Sequence, residues 1–429
     1  MYPEKEIQLR ELEGMLVEMW EKVLKVDGID TEEDFFELGG DSIAVARFTN
    51  MLQERLGEVV HRNVPYEYPT ISRLAEYLAD SYRDGVALVF GRHIIKLNEP
   101  TVSRLTEKDV SYFREQISAR DACSDLKQRE GSGRRKNPQA VFILCTPRSG
   151  STLLRIMLAG HPRLFAPPEL HLLPFDSLKQ RKELLSGYRR PFWSEGVIRA
   201  IMEGKHCDVD QAKEVFEECE EKDLTVQEFY ALMQGWLDGR RLVDKTPSYA
   251  QNMDVLQRAE DCFGNSQYIH LLRHPVAMIK SYEQRRIQQF WGENLGYASR
   301  ELAELCWIIS HQNIIKFLEN IPAERQCRVV FEDLVRGPRK IMEDVCETLK
   351  LELDEEVLTP YQNQETKMTD GPLPESKMLG DPKFHSYTNI DPDVADSWKD
   401  MERPIILADM TRRLAEDLGY QSGLSSNGN

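Results

Sequence analysis

The chain has 429 residues, 41% of them hydrophobic, with 55 basic and 72 acidic side chains and a formal net charge of −17. That length suits two to three domains, and the negative charge argues against nonspecific binding to a polyanion such as nucleic acid. No run approaches the roughly 18 apolar residues of a membrane span, the N-terminal MYPEKEIQLR lacks a signal peptide's apolar core, and eight scattered cysteines form no CxxC pair, so we expect a cytoplasmic chain with reduced thiols and no metal.

The excess charge is concentrated at the start: up to Tyr82 there are 18 acidic and 8 basic side chains, a net of −10, which marks residues 1–82 as a separate unit. Leu9, Leu12, Leu16, Met19 and Val23 recur at helical spacing and predict a first helix ending before Gly28. Val45, Phe48, Leu52 and Leu56 predict a second helix, and Leu74 with Leu78 a third, giving a small all-α bundle. Between the first two stands DFFELGGDSIAV, whose glycines deliver Asp41 and Ser42 to a helix start. Asp and Ser there are ordinary N-caps. The full string, with helices on either side over residues 6–82, resembles the attachment site of acyl and peptidyl carrier domains. That resemblance implies that Ser42 carries a 4'-phosphopantetheine arm, installed by a phosphopantetheinyl transferase and loaded with an acyl or peptidyl thioester. The GGDSI form is closer to peptidyl carriers than to the GLDSL form common in polyketide ones.

Residues 83–138 read as a linker and docking segment: VALVFGRHIIKL suits a strand or docking, and QREGSGRRKNP has the composition of a flexible connector. The second domain is expected over 139–423.

That domain opens with AVFILC, a continuous apolar run suited to a central parallel strand, followed by TPRSGST and the helical STLLRIMLAG. Strand, tight turn and helix present unpaired N–H groups and a partial positive charge at the helix start, a cradle for phosphate. Arg148 adds a fork of donors, Ser149 and Gly150 form the turn, and Ser151 and Thr152 add hydroxyls. The loop is shorter than GxxxxGK[ST], and arginine stands before the serine. It resembles the phosphosulfate loop of sulfotransferases. This implies an α/β domain with a central parallel sheet and a P-loop-like loop, binding 3'-phosphoadenosine 5'-phosphosulfate (PAPS) and releasing its 3',5'-bisphosphate product (PAP) without a metal.

Three further groups fit that resemblance. SQYIHLLRHPVAMIKSY reads as a strand, Tyr268 to Leu272, then a helix, and its Arg273 and Ser281 match the pair that holds the donor's 3'-phosphate in sulfotransferases. LFAPPELHLLPF supplies Glu169 and His171 in an apolar segment where desolvation can raise a carboxylate's pKa. RLVDKTPSY supplies Lys245 at the end of a strand. By likeness to tyrosylprotein sulfotransferases, Glu169 is the base and Lys245 stabilises the leaving group; Arg148 also serves the reacting centre. Where that family has arginine, this chain has His171, as base assistant or acceptor-orienting group; a salt-linked loop under the sheet is the other reading of Glu169 and His171.

PPELHLLPF, DKTPSY, YIHLLRHP and FEDLVRGPRK most resemble the sulfotransferase domains of bacterial polyketide megasynthases of the curacin and olefin synthase type, over residues 139–400. There a carrier-bound β-hydroxyacyl chain is sulfated, and a thioesterase then releases it for decarboxylative elimination to a terminal alkene. Upstream synthase modules are implied, with the thioesterase separate or excised, or else the sulfate is retained. The Gly-, Pro- and Asp-rich tail predicts a long loop in which Gly380 and Lys383 cover the donor by analogy. Alternatives are sulfation of a carrier-bound peptidyl residue or of a free small molecule, and an inactive carrier-docking module.

Overall fold

The computed structural model describes residues 3–58, 60, 64–90, 101–103, 105–120, 135–185, 190–287, 297–372, 384–399 and 405–420. They fall into two compact units, centred on residues 1–98 and 99–429. No helix among the described residues is long and apolar enough to cross a membrane.

In the first unit, helices Pro3–Leu24, Ser42–Leu56 and Ile71–Ser81 form the expected bundle. Leu12, Leu16, Phe48, Leu52, Leu74 and Leu78 are wholly buried, so the helical spacing reports the core correctly. Trp20 meets Phe35 edge to face, with ring centroids 4.8 Å apart. Two shorter pieces join them. Val64–Glu67 makes a single turn with Val64, Pro65 and Tyr66 buried, too short to show periodicity. Arg83–Val89 is a helix and takes in the start of the run expected as a strand or docking segment, whose residues 91–97 lie outside the described residues. Its Val86 is wholly buried in this core, and burial on one helical face overrides a β-favouring composition.

The second unit is built on a five-stranded sheet. After a short strand β1 (Thr101–Val102) come β2 (Val141–Leu144), β3 (Leu164–Phe165), β4 (Arg241–Asp244), β5 (Gln267–Leu272) and β6 (Gln326–Val330), and β7 (Ile405–Ile406) pairs in parallel with β1. The main sheet has the order β3-β4-β2-β5-β6 and every pair is parallel. All of β2 and β5 is buried, as expected where apolar clusters cover both faces. Because the strands run the same way, the segments after β2, β3, β4, β5 and β6 all leave at one edge, where open α/β sheets place their ligands. Helix Glu107–Arg120, within the stretch expected to be a linker, contributes Val110, Phe113 and Ile117 to this unit's core.

Candidate active site

The first segment at that edge is the turn after β2. Arg148 and Gly150 both adopt left-handed backbone, φ 65° and 81°, which brings the chain round into helix Ser151–Ala159. A Cβ on Gly150 would lie 2.1 Å from the Phe331 ring, so glycine is required both by conformation and by space. Gly150 is also the N-cap and has no side chain to claim the first-turn N–H groups. The cradle therefore fits a phosphate or sulfate better than a capped helix would. Buried Thr146 and Ser149 lock the turn from beneath through hydroxyls 2.6 Å apart.

The turn after β5 meets the first. Arg273 donates through Nη1 to the Arg148 carbonyl at 2.7 Å, and Arg148 Nε donates to Ser281 Oγ at 3.2 Å. The Arg273 guanidinium also lies over the Phe331 ring, 4.6 Å from its centroid. Two sequence segments about 125 residues apart thus form one cationic cluster beside the loop. Gly380 and Lys383 lie outside the described residues. The tail that is described returns nearby: Trp398 stacks on His274, centroids 3.7 Å apart, and Lys280 Nζ donates to the Ser397 carbonyl at 2.7 Å.

The segments after β3 and β4 bring together Glu169, His171 and Lys245. Lys245 Nζ donates to Glu169 Oε1 at 2.5 Å, and His171 Nε2 stands 3.3 Å from Glu169 Oε2. Lys245 is 1% exposed, whereas the Glu169 side chain keeps 29%, so the carboxylate faces an opening and the ammonium lies behind it. Burial pushes the Glu169 carboxyl up, but the Lys245 charge and the His171 hydrogen bond outweigh it and hold it well below the usual carboxylate range. The expectation of a raised Glu169 is thereby reversed, because Lys245 arrives from a strand 76 residues away. Burial pushes His171 down, partly offset by the Glu169 carboxylate that its Nε2 faces. It packs edge-on against Trp193, centroids 4.4 Å apart. His171 holds φ 49°, a left-handed conformation that costs about 1–2 kcal/mol and persists only where the surroundings fix it. Among the described residues, no group of three or more His, Cys, Asp or Glu is placed to hold a metal ion.

Several neighbours of the cluster carry little signal in the sequence. A Cβ on Gly196, inside helix Arg190–Lys205, would lie 2.0 Å from the Glu169 carbonyl oxygen, so this glycine lets the helix press on the segment. A glycine inside a helix is the one cue to it. Arg155, 1% exposed, donates to the carbonyls of Ala166 at 2.9 Å and Lys367 at 3.0 Å, tying the loop's helix to the segment that carries Glu169. Burial lowers its pKa to about 9 and the Glu169 charge opposes that fall, so the two charges sense each other.

A family model described as "Sulfotransferase family" matches residues 138–355, half of the chain. The chain belongs to the sulfotransferase family. Residues 15–78 match the "Phosphopantetheine attachment site" model, which makes this sulfotransferase a fusion with a carrier domain. It is similar to the sulfotransferase domain from the curacin biosynthetic pathway, 39% identical with a TM-score of 0.61, covering 67% of this chain and 99% of that one. It is also similar to the sulfotransferase domain of the Synechococcus PCC 7002 olefin synthase, 37% identical with a TM-score of 0.60, covering 67% and 97%. The carrier part is 31% identical over 81 residues to polyketide synthase PksN of Bacillus subtilis and 36% identical over 73 residues to gramicidin S synthase 2 of Aneurinibacillus migulanus. Those matches span 19% and 17% of this chain and 2% of each relative.

In the carrier, Gly39 has φ 92°, and a Cβ on Gly40 would strike the Phe35 ring at 2.3 Å. Asp41 caps the next helix, accepting from Ile43 N at 3.0 Å and Ala44 N at 2.7 Å. The cap reading of that motif therefore holds for Asp41, and Ser42 is left as the first helical residue; its side chain lies outside the described part.

Proposed function

We propose that the chain moves a sulfuryl group from PAPS to the hydroxyl, at the β position, of an acyl chain held on a phosphopantetheine arm at Ser42. The observation that carries this reading is the union in one chain of a carrier attachment motif with a sulfotransferase unit 39% identical to the curacin-pathway domain. PAPS supplies an activated sulfur whose bond to the bridging phosphate oxygen is the one that breaks. The first-turn N–H groups and Arg148 cradle the 5'-phosphosulfate end, and Arg273 with Ser281 takes the 3'-phosphate.

Glu169 then removes the acceptor's proton as the acceptor oxygen bonds to sulfur and PAP departs. A carboxylate held below its ordinary range is a weak base while Lys245 grips it. As negative charge grows on the departing oxygen, the Lys245 ammonium is drawn from Glu169 to that oxygen, and the carboxylate gains proton affinity when it is needed. His171 orients Glu169 or takes the proton itself. Each step is carried by these side chains and the donor.

The sulfate then serves as a leaving group in decarboxylative elimination to a terminal alkene, with upstream synthase modules supplying the acyl chain and a thioesterase releasing it. Phosphopantetheinyl transferase and a cytoplasmic setting complete the scheme. The GGDSI motif and the match to gramicidin S synthase 2 favour a second reading in which the cargo is peptidyl. Holo protein loaded in turn with 3-hydroxyacyl and hydroxylated peptidyl groups, with the free acids in competition, separates these. The account expects the 3-hydroxyacyl thioester to gain the sulfuryl mass fastest. Faster sulfation of the peptidyl thioester or the free acid overturns it.

A further inference from the structure

Lys245 and Glu169 meet although they belong to different segments, and something must hold those segments in register. Tyr249 touches both. The Tyr249 hydroxyl accepts from the backbone N–H groups of Leu172 at 2.9 Å and Leu173 at 3.3 Å, and it lies 3.4 Å from Asp244 Oδ2. Asp244 is the last residue of β4 and directly precedes Lys245. Tyr249 and Asp244 are 2% and 1% exposed, so these bonds form away from water, where a lost partner is expensive.

We infer that Tyr249 is a positioning residue of sulfuryl transfer, clamping the segment that carries Glu169 and His171 to the end of the strand that delivers Lys245. The inference rests on the roles proposed above for those three side chains. A phenol suits this task. It donates one hydrogen bond, to Asp244, and accepts two, from successive backbone amides just beyond His171. Those amides follow the left-handed turn at His171, so the clamp fixes the conformation that aims the imidazole at Glu169. Burial and the Asp244 charge both raise the Tyr249 pKa, which keeps the hydroxyl protonated and donating.

Tyr230 supplies the control. Its hydroxyl donates to the same Asp244 Oδ2 at 2.5 Å and stands 3.5 Å from the Tyr249 hydroxyl, and it is wholly buried. It reaches the Glu169 segment through those two side chains, whereas Tyr249 holds the backbone of that segment directly. If the network matters only for stability, Tyr230→Phe should cost at least as much activity as Tyr249→Phe. If Tyr249 positions the site, the order for activity reverses. A displacement of about 1 Å at a reacting group costs on the order of 10²-fold in rate.

The test uses the full holo chain and reads kcat, acceptor and donor KM, PAP affinity and Tm for Tyr249→Phe, Tyr230→Phe and Glu169→Gln. Tyr249→Phe should lower kcat about 10- to 100-fold with PAP affinity changed less than about twofold, while Tyr230→Phe changes kcat less than about threefold for an equal or larger loss of Tm. Near-normal kcat in Tyr249→Phe, or equal kcat losses in the two tyrosine variants, overturns the inference. If Tyr249→Phe fails to fold, Asp244→Asn, which keeps the shape but removes the charge that orients the phenol, should lower kcat with PAP affinity intact; an unchanged kcat overturns the inference. A Glu169→Gln variant of normal rate defeats the site assignment itself. A crippled Glu169→Gln beside a fully active Tyr249→Phe defeats only the clamp.

Discussion

Among the described residues of the carrier unit, Thr49 is the buried polar side chain, whereas the sulfotransferase unit closes over Arg155, Lys245, Asp244, Glu304 and four histidines. The carrier encloses an apolar bundle and presents its attachment motif at a helix start beside exposed Asp41. Its job is to hold an arm, which needs a rigid support and no tuned titration. The second unit must stabilise charge as it moves between oxygens, and charges act far more strongly where water is thin. Buried ions weaken a fold unless each is met, and of those named only Asp244 and Lys245 stand at a strand end, beside the Glu169 carboxylate.

Changes in one unit should therefore leave the other's work intact. The largest effect is expected from Ser42→Ala, which should abolish addition of the phosphopantetheine arm while the sulfotransferase unit still modifies cargo offered on a separate carrier. Intact-protein mass after treatment with a phosphopantetheinyl transferase reads this, and an arm on the variant breaks the division. Next, Glu169→Gln should lower turnover about 10²- to 10⁴-fold with PAP affinity and arm loading barely changed. A larger loss in His171→Ala would transfer the base role to the histidine, and near-normal rates in both variants would place the acceptor elsewhere.

A donor lacking its 3'-phosphate should bind more weakly by about 1.5–3 kcal/mol for each charge-assisted hydrogen bond removed, and Arg273→Ala should erase much of that preference. Calorimetry with the two nucleotides measures it, and equal affinities in the native chain would remove Arg273 and Ser281 from the donor site. The smallest effect concerns pH. Lys245 holds the Glu169 pKa down, so Lys245→Met should raise it and move the acidic limb of kcat/KM to higher pH on the reduced residual rate. A limb that stays in place would mean that Lys245 does not govern the titration of the base.

Much of this architecture is legible from local pattern. The run from Val141 to Leu144, the turn and the helix after it report themselves through continuous apolar residues followed by helical spacing, and the carrier core follows its three-and-four repeat. Arg273 and Ser281 stand out only through the resemblance to sulfotransferases, and the structure brings Arg148 to both. What the sequence hides is long-range. The PPELHL context reads as desolvating, and only the fold places the Lys245 ammonium against Glu169 and reverses the direction of its pKa. Gly196 and Arg155 look like ordinary helix residues until the Glu169 carbonyl and the Ala166 carbonyl are seen beside them. Helix Arg83–Val89 is hidden because seven residues are too short a run to show which core Val86 joins.

The proposal centres on sulfate transfer by the Lys245–Glu169–His171 cluster to cargo held on Ser42. Single-turnover intact-protein mass spectrometry of holo chain loaded with a 3-hydroxyacyl group and mixed with PAPS tests it most directly. The account predicts a sulfuryl mass gain on the loaded native chain, no such gain on unloaded holo chain, and a rate at least about 10²-fold lower in loaded Glu169→Gln. A gain on unloaded chain, or an equal rate in the Glu169→Gln variant, would contradict it.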